Sequence, residues 1–184
     1  MRVIAGKAKG RHLKFPAGAP TRPATDLVKG AIFSMLENMP GKWNHVLDLF
    51  SGSGGLGIEA LSRGAGRVDF VDRDPRCCAI IKENLETTGF SGQAHIYCSD
   101  VAKTLSFLDK EYDIILMDPP YADKSVGNII EQLANSKLVG AATHLVVTHS
   151  PHFQLKPSYA SLKQVKERRH GDSIIAIYEK EAAA

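Results

Sequence analysis

Cysteine pairing is the first thing this sequence lacks. Cys77, Cys78 and Cys98 are its only three cysteines, and no Cys-x-x-Cys pair occurs. That excludes a disulfide framework and the usual zinc spacings, leaving reduced packing residues. Histidine is present at seven positions, but the nearest pair, His149 and His152, flanks a proline and has no carboxylate or cysteine beside it. No metal site is expected. No run reaches the roughly 18 apolar residues of a membrane span, and Met1 to Lys7 has no apolar signal segment. A cytoplasmic protein is expected. Internal repeats are missing too, and the only low-complexity tract is Ala182-Ala183-Ala184.

What is present suits one domain of ordinary size: 184 residues, 43% of them hydrophobic. Charge is distributed unevenly. Residues 1–30 hold Arg2, Lys7, Lys9, Arg11, Lys14, Arg22 and Lys29 against Asp26 alone, a local +6 in a chain of net +3. A basic N-terminal arm on a mildly acidic body can attract a polyanion, or can be simply solvated.

Periodicity divides the chain. Val3 to Gly6 and His12 to Phe15 read as two short strands of a hairpin, followed by a loop carrying Pro16, Gly18, Pro20 and Pro23. Thr25 or Asp26 can cap a helix with apolar positions Val28, Ile32, Phe33, Leu36 and Met39, ending before Pro40-Gly41. From residue 45 strands and helices alternate, with strands predicted at 45–50, 67–72, 94–98, 112–117 and 143–149 and helices at 55–64, 75–88, 101–109 and 124–136. This pattern predicts a mostly parallel sheet with helices on both faces. Two last strands, 161–170 and 173–180, are separated only by Gly171-Asp172 and must form an antiparallel hairpin.

Two motifs carry chemistry. The first predicted strand runs into Asp48-Leu49-Phe50-Ser51-Gly52-Ser53-Gly54-Gly55-Leu56-Gly57, where Gly52, Gly54 and Gly57 satisfy G-x-G-x-x-G and Asp72 ends the next strand. That is a nucleotide-type signal with two candidate ligands. A dinucleotide would set its pyrophosphate at the helix N-terminus, where Asp48 is an awkward neighbour. S-adenosylmethionine offers an ammonium and a sulfonium, which favour such a carboxylate. The second motif is Asp118-Pro119-Pro120-Tyr121, directly after the strand Tyr112 to Met117. Consecutive prolines end the strand in a stiff loop. A carboxylate, a proline carbonyl and an aromatic face held together there suit a planar group bearing an NH2. This tilts the pair of motifs toward methyl transfer.

In its motif order, Asp48 to Gly54, Phe70-Val71-Asp72, Ser99-Asp100 and Asp118 to Tyr121, the chain resembles class I methyltransferases acting on exocyclic amines. Arg2-Val3-Ile4-Ala5-Gly6-Lys7-Ala8-Lys9-Gly10-Arg11, Thr21-Arg22-Pro23-Ala24-Thr25-Asp26, and Glu59 to Ala65 resemble more narrowly the RsmD family, which methylates N2 of the guanine at nucleotide 966 of bacterial 16S ribosomal RNA. Leu27 and Gly30 depart from the Arg and Glu expected in that pattern. The resemblance implies a Rossmann-like α/β fold with a seven-stranded sheet, residues 1–41 forming a basic extension and 42–184 the S-adenosylmethionine-dependent domain. It implies that Asp48, Phe50, Ser51, Gly52 and Gly54 hold the donor's methionine part, Asp72 its ribose and Asp100 its adenine, with Thr25 contributing from the extension. Asp118, Pro119, Pro120 and Tyr121 would be catalytic. Lys7, Lys9, Arg11, Lys14 and Arg22 would grip RNA phosphates, and the partner would be 16S rRNA or the small subunit, met by a monomer. Asp72, Asp74 and Asp100 can also cap the helices that follow them, a role compatible with a ligand contact. Competing functions are another DNA or RNA amino-methyltransferase, a non-catalytic RNA-binding assembly factor, and an NAD-dependent oxidoreductase.

Overall fold

The alternation of apolar strands and amphipathic helices builds a single twisted sheet covered on both faces. A computed structural model of the chain describes residues 1–18 and 23–182. After α1 (Asp26–Glu37) come β1 (His45–Leu49), α2 (Gly55–Ser62), β2 (Arg67–Asp72), α3 (Pro75–Thr88), β3 (Ala94–Cys98), α4 (Val101–Phe107), β4 (Tyr112–Met117), α5 (Val126–Ala134), β5 (Val139–His149), β6 (Ser158–Tyr159), β7 (Leu162–His170) and β8 (Ser173–Lys180). The strand order is β3-β2-β1-β4-β5-β8-β7-β6. β1 to β5 are parallel, β8 pairs antiparallel with β5, and β7 pairs antiparallel with β8. Strand order reverses between β1 and β4, so the ligand crevice is expected beyond their carboxyl ends.

Two apolar layers hold the sheet. One joins Ile32, Phe33 and Leu36 of α1, Ile58 and Leu61 of α2 and Ile81 of α3 to Val46, Phe70, Ile114, Ile175 and Ile177. The other joins Leu105 of α4 and Ile130 and Leu133 of α5 to Leu47, Ile115, Val147 and Tyr178. Among the described residues no helix is long and apolar enough to cross a membrane.

The described residues form an eight-stranded sheet rather than the expected seven-stranded one. The addition, β6, is only two residues long, too short to leave a period-2 pattern. β5 begins at Val139, earlier than alternation suggests, because an irregularity in its register with β4 interrupts the pattern. Helices α2, α4 and α5 are shorter than predicted, and Met39 lies beyond α1.

The N-terminal hairpin forms only one ladder bridge, Arg2 to His12. Backbone bonds cross it from Val3 N–H to the Arg11 carbonyl, Gly10 N–H to the Val3 carbonyl and Leu13 N–H to the Met1 carbonyl, while the N–H groups of Ile4, Ala5, Lys7 and Ala8 go to α2. The carboxylate of Glu59, fully buried, accepts the N–H groups of Ile4 (2.9 Å) and Ala5 (3.1 Å). Ser62 accepts Ala8 N–H on its hydroxyl and Lys7 N–H on its carbonyl, and donates to the Ala5 carbonyl. Gly6 is mandatory here, since a Cβ would stand 1.8 Å from the Ser62 carbonyl oxygen and φ is +82°. Residues 1–14 thus form a strap along α2: Met1 lies by Gly55 at the helix start and the Gly6–Gly10 turn by Ser62 at its end. Val3, Ala8 and Leu13 join the same core as α1 and the sheet.

Glu59 is balanced by Arg63 Nε at 3.0 Å and by Lys29 Nζ at 3.5 Å, the latter also donating to the Arg2 carbonyl at 2.5 Å. Burial lowers the Lys29 pKa from its ordinary value, and the Glu59 charge opposes that shift. Removing the carboxylate would leave the buried Lys29 without its counter-charge and two backbone N–H groups without their acceptor, while Arg63 keeps Glu37 at 2.9 Å. Glu59→Ala should therefore destabilise the protein by about 3–5 kcal/mol in denaturant unfolding and expose the amides of residues 1–13 to hydrogen exchange. A loss under about 1 kcal/mol would show that the strap is held otherwise.

Candidate active site

Four carboxylates stand at or just past the carboxyl ends of four adjacent parallel strands: Asp100 after β3, Asp72 on β2, Asp48 on β1 and Asp118 after β4. All line one cleft of about 1310 Å³. That exceeds the roughly 300–1,000 Å³ of an ordinary small-molecule pocket, leaving room for a cofactor and a second planar group.

The glycine loop between β1 and α2 is pinned by two of these acids. Asp48 is buried at 1% exposure and accepts the Gly57 N–H at 2.9 Å. A Cβ on Gly57 would stand 2.3 Å from the Phe70 ring and 2.9 Å from that carboxylate, so this glycine is required by close packing of α2 on the sheet. Asp72 accepts the Gly52 N–H on one oxygen and the Asp74 N–H on the other, both at 2.9 Å. Gly52 and Gly54 turn the chain at φ of +58° and +81°. Phe50 also has positive φ, +56°, a strained position for a bulky residue. Its side chain lines the cleft immediately after β1.

Ser51 lines the cleft and has a structural task besides. Its hydroxyl donates to the Asp48 carbonyl at 2.6 Å and accepts the Val71 N–H at 2.9 Å, tying the end of β1 to β2. Asp74 caps α3, and Asp100 caps α4 by accepting the Lys103 N–H at 3.1 Å while still lining the cleft. Capping and ligand-facing positions coincide for Asp100. Thr25 likewise caps α1 through the Val28 N–H at 3.2 Å and reaches the cleft.

Beyond β4, Asp118-Pro119-Pro120-Tyr121 forms the opposite wall. The Asp123 N–H donates to the Pro120 carbonyl at 2.9 Å, whereas no donor among the described residues reaches the Pro119 carbonyl. Asp118 accepts from the hydroxyl of Thr148, a buried β5 residue. Burial pushes the Asp118 carboxyl up to about 6, and the Thr148 hydroxyl pulls the other way. Burial also raises Asp48 well above the usual carboxylate range; the Gly57 N–H opposes this, while the charges of Asp118 and Asp72 add to it. A cation in the cleft would relieve that cost.

Tyr121 is 44% exposed, and its hydroxyl pairs with Ser173 at 2.5 Å, so the β7–β8 turn props the ring at the mouth. Thr148, Ser173 and the cleft-lining His170, Gly171 and Asp172 were missed by sequence reasoning. A hairpin turn and a strand threonine have no local mark of proximity to a site. Met1, Phe15 and the 65% exposed Leu27 bring the N-terminal segment to the same cleft.

The basic arm is divided. Lys14 pairs with Glu83 at 2.7 Å, next to the anchorage of its backbone on Asn84. Lys7, Lys9 and Arg11 are exposed around the turn that docks on the far end of α2, about 12 Å along that helix from the glycine loop. Arg22 lies outside the described residues.

Comparison with known proteins places this geometry. The family model described as conserved hypothetical protein 95 matches residues 1–179. YlbH of Bacillus subtilis, a candidate rRNA methyltransferase, is 37% identical over 98% of this chain and 99% of its own. The ribosomal RNA small subunit methyltransferase D of Escherichia coli K12 is 28% identical over 99% of this chain and 91% of its own. Among solved structures, yhhF of Escherichia coli, described as a candidate methyltransferase, superimposes with a TM-score of 0.87 at 26% identity, covering 100% of this chain and 99% of that one. With the match spanning the strap, the glycine loop and the Asp118 loop alike, the chain belongs to this family, the RsmD family of class I methyltransferases.

Proposed function

We propose that this protein transfers a methyl group from S-adenosylmethionine to the exocyclic N2 amine of a guanine in 16S rRNA, at nucleotide 966 by family resemblance. The observation that carries the reading is Asp118, held by Thr148 at the β1/β4 switch point in a cleft whose other acids suit a cation. The small-subunit rRNA methyltransferase named among the relatives supports the choice of RNA.

The residues present fit the donor. Its ammonium and sulfonium suit the potential of Asp48, whose burial otherwise disfavours charge. Asp72 and Asp100 line the cleft and retain acceptor capacity beyond their backbone contacts, which ribose hydroxyls and the adenine amine would use. The same four acids disfavour a dinucleotide pyrophosphate. The donor, when bound, supplies an electrophilic methyl group.

Guanine N2 is a weak nucleophile because its lone pair is delocalised. The ionised Asp118 and the Pro119 carbonyl would accept its two hydrogens, letting the nitrogen pyramidalise with its lone pair aimed at the methyl carbon. Tyr121 would stack on the base, its ring angle set by Ser173. As the N–C bond forms and the S–C bond breaks, one N2 proton must leave, and a carboxyl poised near 6 is a competent acceptor. A base within RNA must leave its stack to enter this cleft. Lys7, Lys9 and Arg11 would meet phosphates distant from the reacting base.

Asp118→Ala should lower kcat by roughly 10²–10³-fold while calorimetry still shows donor binding; near-wild-type turnover would remove Asp118 from the mechanism. The reaction needs the carboxylate, the form present above a pKa of about 6. On the acid side, kcat/KM should therefore fall about tenfold per pH unit below that value and level off above it. Thr148→Val removes the donor that favours ionisation, so its acid limb should move to higher pH. A pH-independent rate from 5 to 8, or an unmoved limb in the valine variant, would contradict this assignment.

A further inference from the structure

The β7–β8 hairpin reaches the cleft at His170–Ser173, and the strand leading there carries Lys163, Lys166, Arg168 and Arg169. In a regular strand Lys163, Val165, Glu167 and Arg169 would share a face, while Lys166, Arg168 and His170 would share the other. Instead, a register shift between Gln164 and Lys166 changes the alternation.

Cross-strand partners share a face. Lys166 lies opposite Ile177 and Arg168 opposite Ile175, both in the apolar layer that includes α1. Lys163, opposite Glu179, and His170, opposite Ser173, continue the same row. Glu167 lies opposite Ala176, in the other layer. The shift thus adds Lys163 to the side of β7 that carries Lys166, Arg168 and His170, giving three cations and a histidine on one side while the strand's acid lies on the other. That side is also the side of Thr148, which pairs with Ile175 and holds Asp118. None of Lys163, Lys166 and Arg168 forms a salt bridge among the described residues. β6 covers the outer edge of β7 only at Leu162 and Lys163.

We infer that the α1-side face of β7, from Lys163 through Lys166 and Arg168 to His170, is a phosphate track that leads an RNA strand to the Tyr121 mouth of the cleft. Charge on an edge strand also discourages edge-to-edge pairing. That need is met by either sign, and requires neither sorting of cations from the acid nor termination at the active-site mouth. The track places backbone phosphates where a base just turned out of its stack meets Tyr121, leaving base recognition to the cleft. The inference rests on the proposed RNA substrate.

Neighbouring arginines on opposite faces supply the test. Binding of in vitro transcribed 16S rRNA would be measured by filter retention across a salt series, and methyl transfer to the same RNA in small subunits would be followed separately. Lys166→Gln/Arg168→Gln should weaken binding about tenfold and reduce the magnitude of the salt slope by about 2, raising KM with kcat unchanged. Arg169→Gln, with the same local charge loss per residue on the other face, should change binding less than about twofold. Wild-type affinity in the double variant, or an equal loss per charge at Arg169, would overturn the track while leaving methyl transfer intact. Absence of RNA binding by the wild type would overturn the track, and absence of transfer to any RNA would overturn the functional reading beneath it.

Discussion

The hydrogen bond from Gly57 N–H to the buried Asp48 carboxylate fixes the site. It holds the first turn of α2 against β1 so closely that Gly57 has no space for a Cβ, and it keeps an acid where burial resists charge. Asp72 repeats the device one strand away by taking the Gly52 N–H. The glycine loop is thus suspended between two carboxylates that also face the cleft. The atoms that hold the loop are those the proposed donor would face, and their burial and negative charge favour a cation where other nucleotide folds favour an anion.

A second constraint joins the extension to this frame. Glu59 and Ser62 on α2 take the backbone donors of the strap, so the helix that begins at the glycine loop also orders the N-terminal segment. Met1, Phe15, Thr25 and Leu27 reach the cleft as a result. The extension shares the core of the sheet through Val3, Ala8 and Leu13.

Much of this was legible in the residues. Parallel strands buried on both sides, Gly52 and Gly54 after β1, and the proline stop after β4 are local signals with local causes, and each falls where expected. The illegible parts are non-local. The hairpin expected of residues 3–15 forms a short antiparallel pairing around Arg2 and His12, but the donors of Ile4 and Ala5 go to Glu59, over fifty positions away in sequence. Ser51 lines the cleft as expected of a site residue, but its tie between β1 and β2 has no local mark. Thr148, Ser173 and the register shift in β7 matter only through partners brought together by the antiparallel return of the sheet. Two-residue β6 lies below the length at which a pattern exists at all.

The central claim is that the cleft presents guanine N2 to a methyl donor. It is tested most directly by incubating the protein with methyl-labelled S-adenosylmethionine and small ribosomal subunits lacking the modification, then mapping the label to nucleotide and atom. The account predicts one labelled guanine in 16S rRNA, at nucleotide 966, with the methyl on N2. Label on an adenine, on a ring nitrogen or on protein, or none on any rRNA, would contradict it.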